Sequence, residues 1–170
     1  GFNINIPYNK EHGEIGHAET LYIYDKIIHP IAESFEPDFI IVSAGFGAAM
    51  YDTMGGMSLK PETYAEMTRK LKTLRTPILF VLEGGFSLNN LANCTEAVSI
   101  ALMTDKEPLK TLPTPSKPIL HYVETLKDVF SEFWPVMKGI KKSKSANQLV
   151  KPEKFDDQIV AGHAANFIVK

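Results

Sequence analysis

Two short apolar runs, Phe39-Ile40-Ile41-Val42 and Ile78-Leu79-Phe80-Val81-Leu82, constrain this chain's fold more than any other feature. Neither alternates with polar residues. Unbroken runs of this length suit strands covered on both faces rather than strands with one wet side. Between them, Pro61 opens a segment whose apolar residues Tyr64, Met67, Leu71 and Leu74 recur at helical spacing. Strand, helix and strand in that order predict a parallel pair joined by a helical crossover. The fold class is therefore α/β, a parallel sheet with helices on both faces.

The rest of the chain fits around this unit. Phe2, Ile4 and Ile6 alternate with Asn3 and Asn5, the period of a half-buried strand ended by Pro7. Residues 18–35 have helical spacing, and Pro30 is expected to kink or split that helix. A helix over about 89–103 follows the second strand, with Leu91, Val98 and Leu102 inward. Residues 104–118 hold four of the eleven prolines and read as an extended connection. A last amphipathic helix from Pro118 turns Val123, Leu126, Phe130 and Phe133 inward. Residues 1–140 read as one domain and 141–170 as a flexible or loosely docked tail.

Composition narrows the function. The 170 residues are 44% hydrophobic and 22% charged, with a net charge of -2. There is no basic excess for nucleic acid and no apolar run of the roughly 18 residues that cross a membrane. Cys94, the single cysteine, sits among Leu91, Thr95 and Val98 and reads as a buried small residue rather than a nucleophile. None of the five histidines stands at metal-binding spacing to another.

In open parallel sheets, ligands bind beyond the carboxyl ends of the strands. Two loops leave those ends: Ser43–Met57, beginning SAGFGAAMYD, and Glu83–Asn89, beginning EGGF. Gly84-Gly85 could cradle a phosphate, but the spacing matches no phosphate-loop motif, and a tight strand-to-helix turn is the better explanation on local grounds. Ser43 is not in a nucleophile elbow. Asp52 is either a metal ligand or a loop carboxylate that caps backbone amides.

The wording of these loops goes further. PIAESFEPDFIIVSAGFGAAMYDTMGG, followed by LFVLEGGFSLNNLA and preceded by GFNINIP, resembles the C-terminal half of a class II histone deacetylase. The resemblance implies an arginase-like fold, here as its C-terminal portion, and membership of the zinc-dependent deacetylases. Family wording is close to SAGFDA, GDPLGG and LEGGY. By position, the family's zinc-ligating Asp falls on Gly47, which has no side chain. The Tyr that bonds the oxyanion falls on Phe86, which has no hydroxyl. Met54 falls at the rim of the substrate tunnel, Gly84 and Gly85 beside its floor, and Asp52 on the Asp of GDPLGG. Phe2 falls near a main-chain cation site used by some relatives. The family's other zinc ligands and its histidine pair precede GFNINIP.

Catalytic zinc takes three protein ligands and a water. Losing an oxyanion donor alone typically raises the barrier by roughly 3–4 kcal/mol. The resemblance thus implies zinc in the family and none in this chain. It implies a pseudodeacetylase with a binding or scaffolding role, nuclear or cytoplasmic and linked to chromatin. Its expected partners are the N-terminal half of such a domain, another deacetylase subunit, a histone or another acetylated protein, in an oligomer and without direct nucleic-acid or membrane contact. The alternative is a working zinc deacetylase with an atypical site, for which Asp52 or His17 would have to replace the missing ligand.

Overall fold

The computed structural model describes residues 3–9, 12–52 and 54–139. Phe2 and the expected tail over 141–170 lie outside them.

The two apolar runs form strands β1 (Ile40–Ala44) and β2 (Ile78–Leu82). They pair in parallel, with Ile40 opposite Ile78 and Ala44 opposite Leu82. The crossover is α3 (Pro61–Lys72), whose Pro61 lies in its first turn as its fixed φ favours. The next helix, α4 (Leu88–Met103), is capped by Ser87, whose Oγ accepts the Asn90 N–H at 3.4 Å. Val42, Tyr24 and Leu71 form one buried cluster with Phe80 packed on it. Phe46, Tyr64, Cys94 and Val98 form another. Both lie between the sheet and the helices.

The sheet's second face differs from the doubly covered strand expected. Ile41 is 54% exposed, Leu79 48%, and Phe39 and Val81 are exposed beside them. Both faces are apolar, as in a parallel sheet, but the described helices pack on one.

Residues 17–35 form one continuous helical rod in three parts: α1 (His17–Ile23), a π-helical stretch Tyr24–Ile28, and α2 (His29–Phe35). Pro30 has no N–H for a carbonyl one turn earlier, and its ring crowds that carbonyl. The widened turn absorbs the misfit instead of a break. Ile23, Ile27 and Ile31 of this rod bury against Ile119, Val123, Leu126 and Phe130 of α5 (Lys117–Phe130). Each such side chain contributes roughly 1.5–3 kcal/mol of transfer free energy.

Two expectations need correction. Residues 3–9 form no strand: the alternation is real, since Ile4, Ile6 and Tyr8 pack on the α5 cluster, but no described segment supplies a ladder partner. A side-chain contact, Tyr122 Oη donating to the Pro7 carbonyl at 2.5 Å, secures the segment instead. Phe133 is exposed, because α5 ends at Phe130 and the following turn loses the helical phase.

Candidate functional site

The two strand-end loops meet because their strands are neighbours in register. The Phe46 N–H donates to the Gly84 carbonyl at 3.2 Å, and the Glu83 N–H to the Ala44 carbonyl at 2.9 Å. A Cβ on Gly45 would stand 2.8 Å from the Glu83 carbonyl oxygen, so glycine permits this approach. Gly84 and Gly85 take φ of +103° and +135°, which other residues rarely adopt. The Gly84-Gly85 pair is therefore the tight strand-to-helix turn.

Asp52 organises the site. It is only 7% exposed, yet its carboxylate is fully engaged. Oδ1 accepts the Met54 N–H at 3.0 Å. Oδ2 accepts the N–H groups of Phe86 at 2.9 Å and Ser87 at 3.2 Å. The Met54 N–H first, then those of Phe86, Ser87 and Gly55, hold its pKa below the ordinary carboxylate value, against the opposing effect of burial. Asp52 thus occupies the start of α4, where the helix dipole and free amides favour an anion. The Phe86 and Ser87 amides that lead into the helix are taken up by Asp52. A second tie, Asn90 Nδ2 donating to the Met50 carbonyl at 2.7 Å, runs parallel to it.

The remaining positions fall around this clamp. Gly47 is buried in the turn after Phe46. Its carbonyl lies so close to Gly55 that a Cβ there would come within 1.6 Å of the oxygen. Met54 and Phe86, 32 positions apart in sequence, are brought together by one carboxylate, and both present exposed side chains, Phe86 at 57%. His17, at the start of α1, shares a hydrogen bond of 2.8 Å between Nδ1 and Thr63 Oγ1. Cys94 is buried, with its thiol pKa pushed up to about 11 by desolvation, so it is not a ready nucleophile. Behind the loop, Ser43–Phe46 lines a cavity of about 60 Å³ with Tyr64, Met67 and Phe80; it lies beneath the strand ends, on the helix side of the sheet.

Asn90 and Gly55 were not singled out by the sequence. Ser87 three residues before Asn90 signals a helix cap, but nothing in the sequence directs Asn90 back to Met50. The tight approach at Gly55 is equally a matter of tertiary contact.

A catalytic zinc needs three protein ligands. Among the described residues no three His, Cys, Asp or Glu side chains gather to hold a metal ion. Gly47 offers no side-chain donor, and both Asp52 oxygens already accept backbone amides. These donors do not fit a zinc centre.

Residues 1–102 match the histone deacetylase domain family, and the chain belongs to it. It is 33% identical to Histone deacetylase 15 of Arabidopsis thaliana over 88% of this chain and 27% of that protein. It is 37% identical to Histone deacetylase HDA1 of Saccharomyces cerevisiae (strain ATCC 204508 / S288c) over 79% of this chain and 19% of that one. The chain therefore spans about a quarter or less of the length of these relatives. Among solved structures, the HD domain of HDA15 superposes with a TM-score of 0.67 at 34% identity, covering 74% of this chain and 35% of that domain. The arginase-like α/β fold expected from the loop wording is thereby borne out. Zinc-dependent hydrolysis is the family's general chemistry.

Proposed function

We propose that this chain is a class II-like pseudodeacetylase segment, which keeps the frame of the deacetylase site and binds or scaffolds without hydrolysing. The carrying observation is the Asp52 clamp. It holds the two strand-end loops together, while the position that resembles the zinc-ligating Asp is Gly47 and the position of the oxyanion Tyr is Phe86. A carboxylate ligand supplies both a bond and a neutralising charge, and a phenol supplies a donor to the developing oxyanion. Their loss removes two contributions to one chemical step while leaving the loops intact.

The exposed rim of Met54 and Phe86 is the surface on which a histone tail or other acetylated protein would rest. The bare sheet face at Ile41 and Leu79 suits association with the N-terminal half of a deacetylase domain or with another deacetylase subunit. A nuclear or cytoplasmic location and a chromatin role follow from this reading. No described helix is long and apolar enough to cross a membrane.

The test is turnover of acetyl-lysine and trifluoroacetyl-lysine peptides by the full chain, alongside binding of an acetylated histone-tail peptide. The expected result is peptide binding with no acyl release above a protein-free control. Zinc-dependent release that a chelator abolishes would overturn the proposal.

A further inference from the structure

An amphipathic helix turns polar residues to water, and α5 departs from this at its end. Its buried residues are Ile119, Val123, Leu126, Lys127 and Phe130. On the outer side Val129 is exposed, and so are Phe133, at 59%, and Val136 in the turn that follows. Beside them the Trp134 ring lies 6.3 Å from that of Phe35, which is exposed at the end of α2. Scattered exposed apolar residues are ordinary, but these stand around one turn and form a patch.

The patch sits on a fixed frame. The Trp134 N–H donates to the Phe130 carbonyl at 2.8 Å, the Met137 N–H donates to the Trp134 carbonyl at 3.0 Å, and Met137 is buried in the α5 cluster. Asp128 and Glu132, four positions apart, are exposed beside it, and neither has an ion pair among the described residues. A segment that covers this surface must bring apolar side chains together with cations.

The chain leaves the patch at Gly139, and the sequence that follows supplies both. Lys141, Lys142 and Lys144 come within five positions. Residues 159–170 then bring Ile159, Val160, Phe167, Ile168 and Val169, with Lys170 as their one Lys, Arg, Asp or Glu. A coil as long as 140–158 spans roughly 20–25 Å, about the 21 Å length of α5 itself. A segment so tethered meets a patch at its own point of departure at an effective concentration of about millimolar. A separate molecule has no such advantage.

We propose that residues 159–170 fold back onto the end of α5, with their apolar side chains over Val129, Phe133 and Val136 and with Lys141, Lys142 and Lys144 beside Asp128 and Glu132. The contact closes this surface to other partners and does not depend on the strand-end loops. Trp134, the single tryptophan, stands at the patch as a reporter. The test compares the full chain with its Phe167→Ser/Ile168→Ser/Val169→Ser variant by amide hydrogen exchange and tryptophan emission, at low and at high protein concentration. In the variant, exchange over residues 129–138 should be at least about threefold faster, and Trp134 emission should move to longer wavelength. Both signals of the parent should be independent of concentration. The substitutions leave α1–α5 untouched, so the circular dichroism spectrum should be kept. Lys141→Glu/Lys142→Glu/Lys144→Glu should uncover the patch in the same way, and adding Asp128→Lys/Glu132→Lys should restore its protection. Equal exchange and emission in the parent and the apolar variant would overturn the proposal. So would protection that grows with protein concentration, which would assign the patch to a second copy of the chain, and so would a charge exchange that restores nothing.

Discussion

The two edges of the sheet use charge in mirror-image ways. At the carboxyl edge one anion, Asp52, gathers backbone N–H groups from two loops. At the far edge one cation, Lys72, gathers three carbonyls from the end of α4. Lys72 saturates carbonyls that helix formation leaves without partners, and Asp52 saturates amides of the two loops, up to the Ser87 cap of α4. The difference lies in what remains. Among the described residues the far edge still has a buried Arg69 Nε without an acceptor, whereas at the carboxyl edge Gly47 brings no carboxylate and Asp52 is engaged. A charge spent on the backbone is not a charge available for chemistry.

Substitutions can break this contrast. Asp52→Ala should have the largest effect. It strips the acceptor from three N–H groups, and leaving them unpaired should cost about 3 kcal/mol or more, read by urea unfolding. Hydrogen exchange should quicken at Met54, Phe86 and Ser87 while β1 and β2 stay protected. An unchanged exchange rate at Phe86 and Ser87 would mean that the clamp does not hold the loops.

Gly55→Ala should come next, at about 1–3 kcal/mol, because its Cβ meets backbone rather than a yielding side chain. A stability equal to the parent's would show that the loop has room to shift. Lys72→Met, which keeps the aliphatic stem, should cost about 1–2 kcal/mol through the loss of the carbonyl contacts at the helix end. Loss of protection confined to the last turn of α4 would sharpen the parallel with Asp52.

The smallest effect should come from pH. The folded pKa of Asp52 is depressed, so its contribution is fully present above the unfolded carboxyl value of about 4 and is lost as pH falls through the folded value. A protonated carboxyl keeps its carbonyl acceptor, so acid should cost less than Asp52→Ala. The fall in stability below about pH 4 should be shallower in Asp52→Asn than in the parent. Identical acid slopes would remove Asp52 from the explanation.

The sequence revealed these edges unevenly. The strands and their parallel pairing follow from two unbroken apolar runs around a helical segment, all of them local patterns. Pro61 marked the start of α3 for an equally local reason. The wording SAGFG and LEGGF pointed to the two loops that meet at the strand ends, and with them to Gly47 and Phe86. Asp52 was legible only as a choice between ligand and cap, because its partners Phe86 and Ser87 lie more than thirty positions away. Lys72 reads in sequence as one more basic residue in a last helical turn; only the packing of α3 on α4 brings the three carbonyls to it. Residues 3–9 misled for the opposite reason. Alternation reports which side chains face the core, and Ile4, Ile6 and Tyr8 are half-buried there without a neighbouring strand among the described residues.

The most direct measurement is the metal content of the full chain after saturation with zinc and exhaustive dialysis, compared with a Gly47→Asp/Phe86→Tyr variant. A frame kept without its ligand predicts no stoichiometric zinc in the parent, with its unfolding temperature unmoved by zinc. Stoichiometric zinc retained by the parent, with Gly47 unchanged, would contradict the loss of the metal site.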